Sequence, residues 1–508
     1  MRTRIASLFG ALTVAGMVAS ACGSSERASG FDDDDGGRGG GGLGGPGLGD
    51  DAGSLPEGCK NLQCRQVACA GGGTTSVSGV VYAPTPPQYG KADPIYNAIL
   101  YVPNGDLAPF PAGVSCDKCG AITSGEPIAT ALSGADGKFV LEDVPVGEDV
   151  PLVIQVGRWR RRITIPKVAE CADTPLDAEL TRLPRDKSEG DIPLMAIVTS
   201  PYDGTECLMR KIGVADGEFT THDGDGRIHV YQGGGARLAT TTPNGAALWG
   251  SKAELERYDV VALPCGSQPT SAADRQNVVD YANGGGRVFI TDLSQDVIKS
   301  GPAPWQTTAN FTVSGSYQNP ARVDTSFPKG AALADWLDAV GATTTKGELN
   351  LTGTYARVSA VNAPSQRWIY SSTTTQTYSF NTPVGTDAAD QCGRAFYSSF
   401  HVTTGGGGIF PAQCNNAPLT PQEKALEFML FDLSACVQKD DTPPVPPPVV
   451  KASRRSGRVP SAPPVRAPVK AYSTARDTGD SSVTRARGRL TSAATWRTSI
   501  GAARASER

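Results

Sequence analysis

Histidine is scarce in this chain. There are three, His222, His229 and His401, in 508 residues, and no His-Glu-x-x-His pair. A zinc centre of the helix-borne protease kind is thereby excluded. Past the first twenty residues, no apolar run approaches the ~18 residues that a spanning helix needs. Neither sign of charge dominates, with 47 Lys and Arg against 51 Asp and Glu. No nucleic-acid recognition motif is present, so no specific nucleic-acid partner is expected. Glycine is abundant, and cysteine is common enough to matter.

Arg2 and Arg4 lead into a small, apolar run from Ile5 to Ala19, followed by Ser20-Ala21-Cys22. A short, positively flanked apolar segment ending in small residues reads as an export signal over residues 1–21. The small-small-Cys ending resembles the bacterial lipobox, which implies lipidation of Cys22. Residues 22–57 are Gly-, Ser- and Asp-rich and too polar to build a core. They read as a tether with an r.m.s. reach of roughly 30–35 Å. The expected localisation is the cell envelope, at the outer membrane or cell surface, with a lipid-anchored membrane contact.

Setting Cys22 aside, eleven cysteines remain. Six fall early (Cys59, Cys64, Cys69, Cys116, Cys119, Cys171) and five late (Cys207, Cys265, Cys392, Cys414, Cys436). Export makes disulfides the default reading. Five cannot pair among themselves, so a free thiol or a bridge between the two groups is required.

Between Thr74 and Pro166, short β-rich runs alternate with Gly, Pro and Asp, as in a β-sandwich. The elements "VSGVVYAP", "NAILYVP", "ADGKFVLEDVPVG" and "LVIQVG" resemble the carboxypeptidase regulatory-like domain, a transthyretin-like sandwich. That resemblance implies a non-catalytic module within residues 58–185. In Arg158-Trp159-Arg160-Arg161-Arg162, strand alternation predicts Trp159 in the core and a solvated arginine face.

From residue 190 the period changes. The apolar run Leu194–Val198 suits a strand covered on both faces, and strands then alternate with helices up to residue 438, predicting a mostly parallel sheet. Ser271 predicts an N-cap, and Pro421 with Glu423 marks the start of a closing helix. Residues 302–390 read as a β-rich insertion. The pieces "YDVVALPCGS", "RQNVVDYANGGGRVFITD" and "GRAFYSSFH" resemble the class I glutamine amidotransferase-like fold, a flavodoxin-like doubly wound sheet. Residues 439–508, Pro-rich and then basic, read as a disordered tail.

The resemblance places a nucleophilic Cys on the turn after the Arg287–Ile290 strand. Here Thr291-Asp292-Leu293-Ser294 stands there, without the glycines of a strained elbow. His401 matches the position of the base, and Val402-Thr403 stands where an orienting acid would follow. Cys265 lies one strand earlier, poorly placed to replace the nucleophile. A degenerate site is the expectation, with a hydrolase using His401 and Asp292 or Ser294 as the alternative.

Three cysteine pairings suggest themselves: Cys207 with Cys265, Cys392 with Cys414, and Cys116 with Cys119. The last pair also admits a zinc or redox reading. His222-Asp-Gly-Asp-Gly-Arg-Ile-His229 reads first as a turn and second as a cation site through His222, Asp223 and Asp225, the basis of a metal-dependent adhesin. No cofactor is expected. The leading reading is a non-catalytic envelope protein with a binding or structural role, whose candidate partners are an envelope polysaccharide or another surface protein.

Overall fold

The computed structural model describes residues 58–451 apart from 316–317, 354–355 and 403–405. The signal segment, Cys22, the tether and residues 452–508 of the tail lie outside the described residues. The protein is a β-sandwich joined to an α/β unit.

Seven strands build the sandwich: β1 (Ser76–Val80), β2 (Ile99–Pro103), β3 (Pro127–Leu132), β4 (Lys138–Leu141), β5 (Gly147–Val156), β6 (Trp159–Val168) and β7 (Asp173–Pro175). They form a three-stranded sheet, β4-β1-β7, and a four-stranded sheet, β3-β2-β5-β6. The β5–β6 hairpin turns on Gly157 at φ +56°, a conformation that costs glycine least. A Cβ there would meet the Ser434 carbonyl oxygen at 1.7 Å, so this turn is pressed against the end of a helix from the second unit. Trp159 is in the core as expected. The solvated-face reading holds at Arg162, which is exposed, and is corrected at Arg160. Arg158 and Arg160 are both buried, paired with Asp117 at 3.0 Å and Asp191 at 2.8 Å respectively.

The α/β unit opens with β8 (Met195–Thr199) and α1 (Thr205–Ile212), followed by β9 (Phe219–Thr220) and β10 (Ile228–Gln232). Then come β11 (Val260–Leu263), α2 (Ala272–Asn283), β12 (Arg287–Thr291), α3 (Pro328–Ala339), β13 (Gly393–Ser398) and α4 (Pro421–Ser434). The order β9-β10-β8-β11-β12-β13 is parallel throughout. Strands β8, β11, β12 and β13 are buried at every residue, which is why β8 and β11 read as near-continuous apolar runs. The strand order changes direction at β8. Residues 302–390 are not an appendage to this sheet. Thr375–Thr382 pairs antiparallel with β13, and Gln366–Tyr370 and Ala321–Val323 continue the same 12-stranded sheet.

Helix α4 joins the two units. Its Thr420 side chain and Glu423 close a capping box, with Pro421 in the first turn. Ala425, Leu426, Phe428, Met429, Leu430, Phe431 and Leu433 are all buried, because the helix is covered on several sides. Tyr96 of the sandwich stacks on Phe428 at 5.7 Å, and Trp159 meets Phe431 edge-on at 5.9 Å. One apolar cluster therefore runs from Val77 in the sandwich to Phe396 in the α/β sheet.

Five disulfides replace the pairings expected from sequence. The bridges are Cys59–Cys64, Cys69–Cys171, Cys116–Cys392, Cys119–Cys436 and Cys207–Cys414. Cys116 and Cys119 each leave the sandwich side to reach the α/β unit, so neither a local bridge nor a CxxC zinc or redox site forms. Cys414 ties its loop to α1 instead of to Cys392. Among the described residues Cys265 is the free cysteine, and it is buried. These bridges place the chain in an oxidising, extracytoplasmic compartment. Among the described residues, no helix is long and apolar enough to cross a membrane.

The start of the tail is also corrected. Asp440 is buried and accepts from Arg394 at 2.7 Å, beside the Lys329–Asp432 pair at 2.7 Å. Val450 N–H donates to the Pro127 carbonyl at 2.7 Å. Residues 439–450 are thus held against both units.

Candidate functional site

Parallel strands end on one edge of their sheet, and their loops converge there, most readily where strand order reverses. Four such loops meet around Asp203, which sequence reasoning missed. Asp203 is fully buried, and Thr291 Oγ1 donates to its Oδ2. Thr205 Oγ1 donates to Oδ1 at 3.1 Å. The backbone amides of Cys265 and Val402 approach at 3.4 and 3.3 Å. One carboxyl therefore ties together the segments after β8, β11, β12 and β13. Burial holds its pKa above the ordinary carboxylate range, against the lowering influence of His401 and these hydrogen bonds. The signal available in sequence was an acid four residues past the end of the first parallel strand.

The next layer joins Cys265 to the Asp292 and His401 pair of the hydrolase alternative. Asp292 follows β12 directly and takes φ +37°. Left-handed backbone is uncommon for a non-glycine residue and marks a constrained turn. A tight elbow thus forms without the flanking glycines that were expected to be necessary. The Tyr397 hydroxyl holds it by donating to the Asp292 carbonyl at 3.2 Å.

The Asp292 carboxylate divides its two oxygens. Oδ1 accepts from Arg357 Nε at 2.9 Å. Oδ2 accepts from the Cys265 thiol at 3.5 Å and lies 3.8 Å from His401 Nε2. The ligand atoms of Cys265, Asp292 and His401 all lie within 4.8 Å of one another. Cys265 is therefore inside the site, contrary to the expectation from its place one strand earlier. Burial, reinforced by the Asp292 and Asp203 carboxyls, pushes its thiol up to about 12, so the sulfur is held as a protonated donor.

His401 Nδ1 lies 3.0 Å from the Val402 carbonyl. That contact suits an N–H at Nδ1 and turns Nε2 toward Asp292. Gln422 Nε2 donates to the His401 carbonyl at 2.6 Å, fixing the residue to the start of α4. Ser294 faces elsewhere. Its hydroxyl lies 2.6 Å from the Pro264 carbonyl and 2.7 Å from Gln268 Oε1, a buried position that braces the turn.

The segment from His222 to His229 does not assemble a cation site. Asp225 pairs with Lys187 at 2.5 Å, and Asp223 accepts from Thr221 in a local turn. The His222 ring sits 6.0 Å from that of Tyr231. His229 Nδ1 meets the Tyr258 hydroxyl at 3.0 Å in the interior, and burial lowers its pKa to about 4. Among the described residues, this segment brings no three metal-ligating atoms together; Cys265, Asp292 and His401 do.

A cavity of 510 Å³ lies at the other edge of the parallel sheet, beside Phe110, Arg158, Lys187, Arg227, Arg257 and Asp259. Three of its cations are paired, Arg158 with Asp259, Lys187 with Asp225 and Arg257 with Glu254. Its charges largely answer one another.

No family model matches the chain, and no curated protein matches it. Among solved structures it is similar to an "mmIFT52 N-terminal domain", at 8% identity and a TM-score of 0.28, over 48% of this chain and 97% of that one. It is also similar to a thua-like protein from Bacteroides uniformis, at 10% identity and a TM-score of 0.26, over 41% and 80%. A cytoplasmic protein from Salmonella typhimurium gives 10% identity and a TM-score of 0.24, over 41% and 88%. Likenesses this distant assign no activity.

Proposed function

We propose that this is an envelope protein, anchored through Cys22, in which a regulatory-like sandwich and a flavodoxin-like, amidotransferase-like unit act as one non-catalytic binding or structural body. One observation carries the reading. At the turn where the resemblance calls for a nucleophile stands Asp292, already engaged by Arg357 at 2.9 Å and by the Cys265 thiol at 3.5 Å. The thiol beside the imidazole is protonated and buried, and Ser294 is turned to other acceptors. A general base without an activated nucleophile does not make a triad.

A second reading, an envelope hydrolase, draws support from the 3.8 Å separation of His401 and Asp292 on a strained turn. The test is hydrolysis of a panel of activated esters, amides and glycosides by the purified protein. Turnover abolished by His401→Ala, with far-UV circular dichroism unchanged, would replace the non-catalytic reading with the hydrolase. Labelling with a palmitate analogue, lost in Cys22→Ala, tests the anchor. A polysaccharide array and a surface-protein pull-down test the two partner classes.

A further inference from the structure

Ten of the eleven cysteines in the described residues are locked in disulfides. The exception is buried against a carboxylate and an imidazole. Thiolate, imidazole and carboxylate are the donor set of borderline divalent ions such as zinc. Tetrahedral zinc with ordinary bond lengths sets neighbouring donors about 3.3–3.6 Å apart. Here sulfur to Oδ2 is 3.5 Å and Nε2 to Oδ2 is 3.8 Å, and no pair exceeds 4.8 Å.

We infer that Cys265, Asp292 and His401 form a three-ligand site for a zinc-like divalent cation at the C-terminal edge of the parallel sheet. The inference concerns the site just described and rests on that reading in one respect, that Asp292 is not consumed as a nucleophile.

The surroundings are arranged for such a site. Arg357 holds Oδ1 and fixes the carboxylate so that Oδ2 faces the other two donors. The Val402 carbonyl opposite Nδ1 leaves Nε2 as the ligating nitrogen, the outer-shell partner that ligating histidines usually have. Entry of the ion displaces the thiol proton to solvent, so sulfur binds as thiolate and one proton leaves for each ion bound. Three protein donors leave a fourth position for water. The loops carrying these donors are all tied to Asp203, so the ligands are placed before the ion arrives.

The test uses the purified full chain, stripped with a chelator and titrated with Co²⁺, followed by displacement with Zn²⁺. Binding of one ion per chain is expected, with a near-ultraviolet sulfur-to-cobalt charge-transfer band. Cys265→Ser should abolish that band, and Asp292→Asn and His401→Ala should each weaken binding at least tenfold. Zn²⁺ should raise the melting temperature of the wild type but not of Cys265→Ser, which changes one buried atom and leaves the fold testable. Absence of the band, or binding unchanged by Cys265→Ser, would overturn the site while leaving the non-catalytic reading intact. Hydrolysis appearing only in the zinc-loaded protein would overturn that reading and leave the cation site standing.

Discussion

Arg357 and Asp292 form an ion pair, Nε to Oδ1 at 2.9 Å, in which the carboxylate side chain is 3% exposed. A buried charge that loses its partner costs more than the pair contributed. Arg357→Met should therefore destabilise the protein by about 3 kcal/mol. Adding Asp292→Asn should recover part of that loss, because the stranded charge goes too. Chemical denaturation of both single variants and the double variant measures the coupling. Additive losses would show that the pair does not act as a unit.

Cys265 should resist alkylation in the folded protein. The thiol is pushed up to about 12 and is 2% exposed. Peptide mapping after iodoacetamide treatment at pH 8 should find it unmodified in the native state. Modification should appear only once denaturant is added.

Glu206 gives a pH signature. Burial in the first turn of α1 raises its pKa to about 7 from an ordinary 4.5. A carboxyl whose folded pKa is raised favours the folded state fully below its unfolded value and loses that advantage as pH rises through the folded one. Its contribution should fall between about pH 4.5 and 7, by on the order of 3 kcal/mol. Glu206→Gln should flatten this part of the stability profile relative to wild type. Identical profiles would reject the assignment.

The bridges Cys116–Cys392 and Cys119–Cys436 run side by side between the two units. With one in place, the other closes a shorter stretch of chain, so its loop-closure contribution is about 1.5 kcal/mol less than it would be alone, though still on the order of 4 kcal/mol. Removing either pair by Cys→Ser should lower the melting temperature. Removing both should lower it by more than the sum. Calorimetry of the three variants decides this.

Gly157→Ala tests the join itself. The added methyl would sit 1.7 Å from the Ser434 carbonyl oxygen, at a residue with φ +56°, so backbone must move. A loss of about 2–3 kcal/mol is expected from the overpacking alone, with increased hydrogen exchange at the end of α4. Unchanged exchange there would mean that the turn and the helix are not coupled.

The architecture was legible wherever local chemistry sufficed. The apolar runs of β8, β11 and β12, the Ser271 cap and the Thr420–Glu423 box all speak through neighbours in sequence. The cysteine pairings did not, because Cys116 and Cys119 are matched across 276 and 317 residues by the packing of two units. The site was half visible. His401 and Asp292 could be placed by their strand ends, but Cys265 joined them only when register set β11 beside β12. Asp203 escaped notice because its one signal was its place four residues past the end of β8, which no residue motif marks out. The antiparallel run over 302–390 read as an insertion because its Thr and Ser faces lack the apolar signature of the strands it extends.

Gln63, near the start of the described chain, donates through Nε2 to the Val450 carbonyl near its end, at 3.0 Å. Both flanking segments therefore depart from neighbouring points on the sandwich. Tension applied through the leading segment therefore enters at the sandwich, whereas tension applied through the trailing one must first break the hydrogen bonds that seat residues 447–450 before it reaches Cys436 and α4.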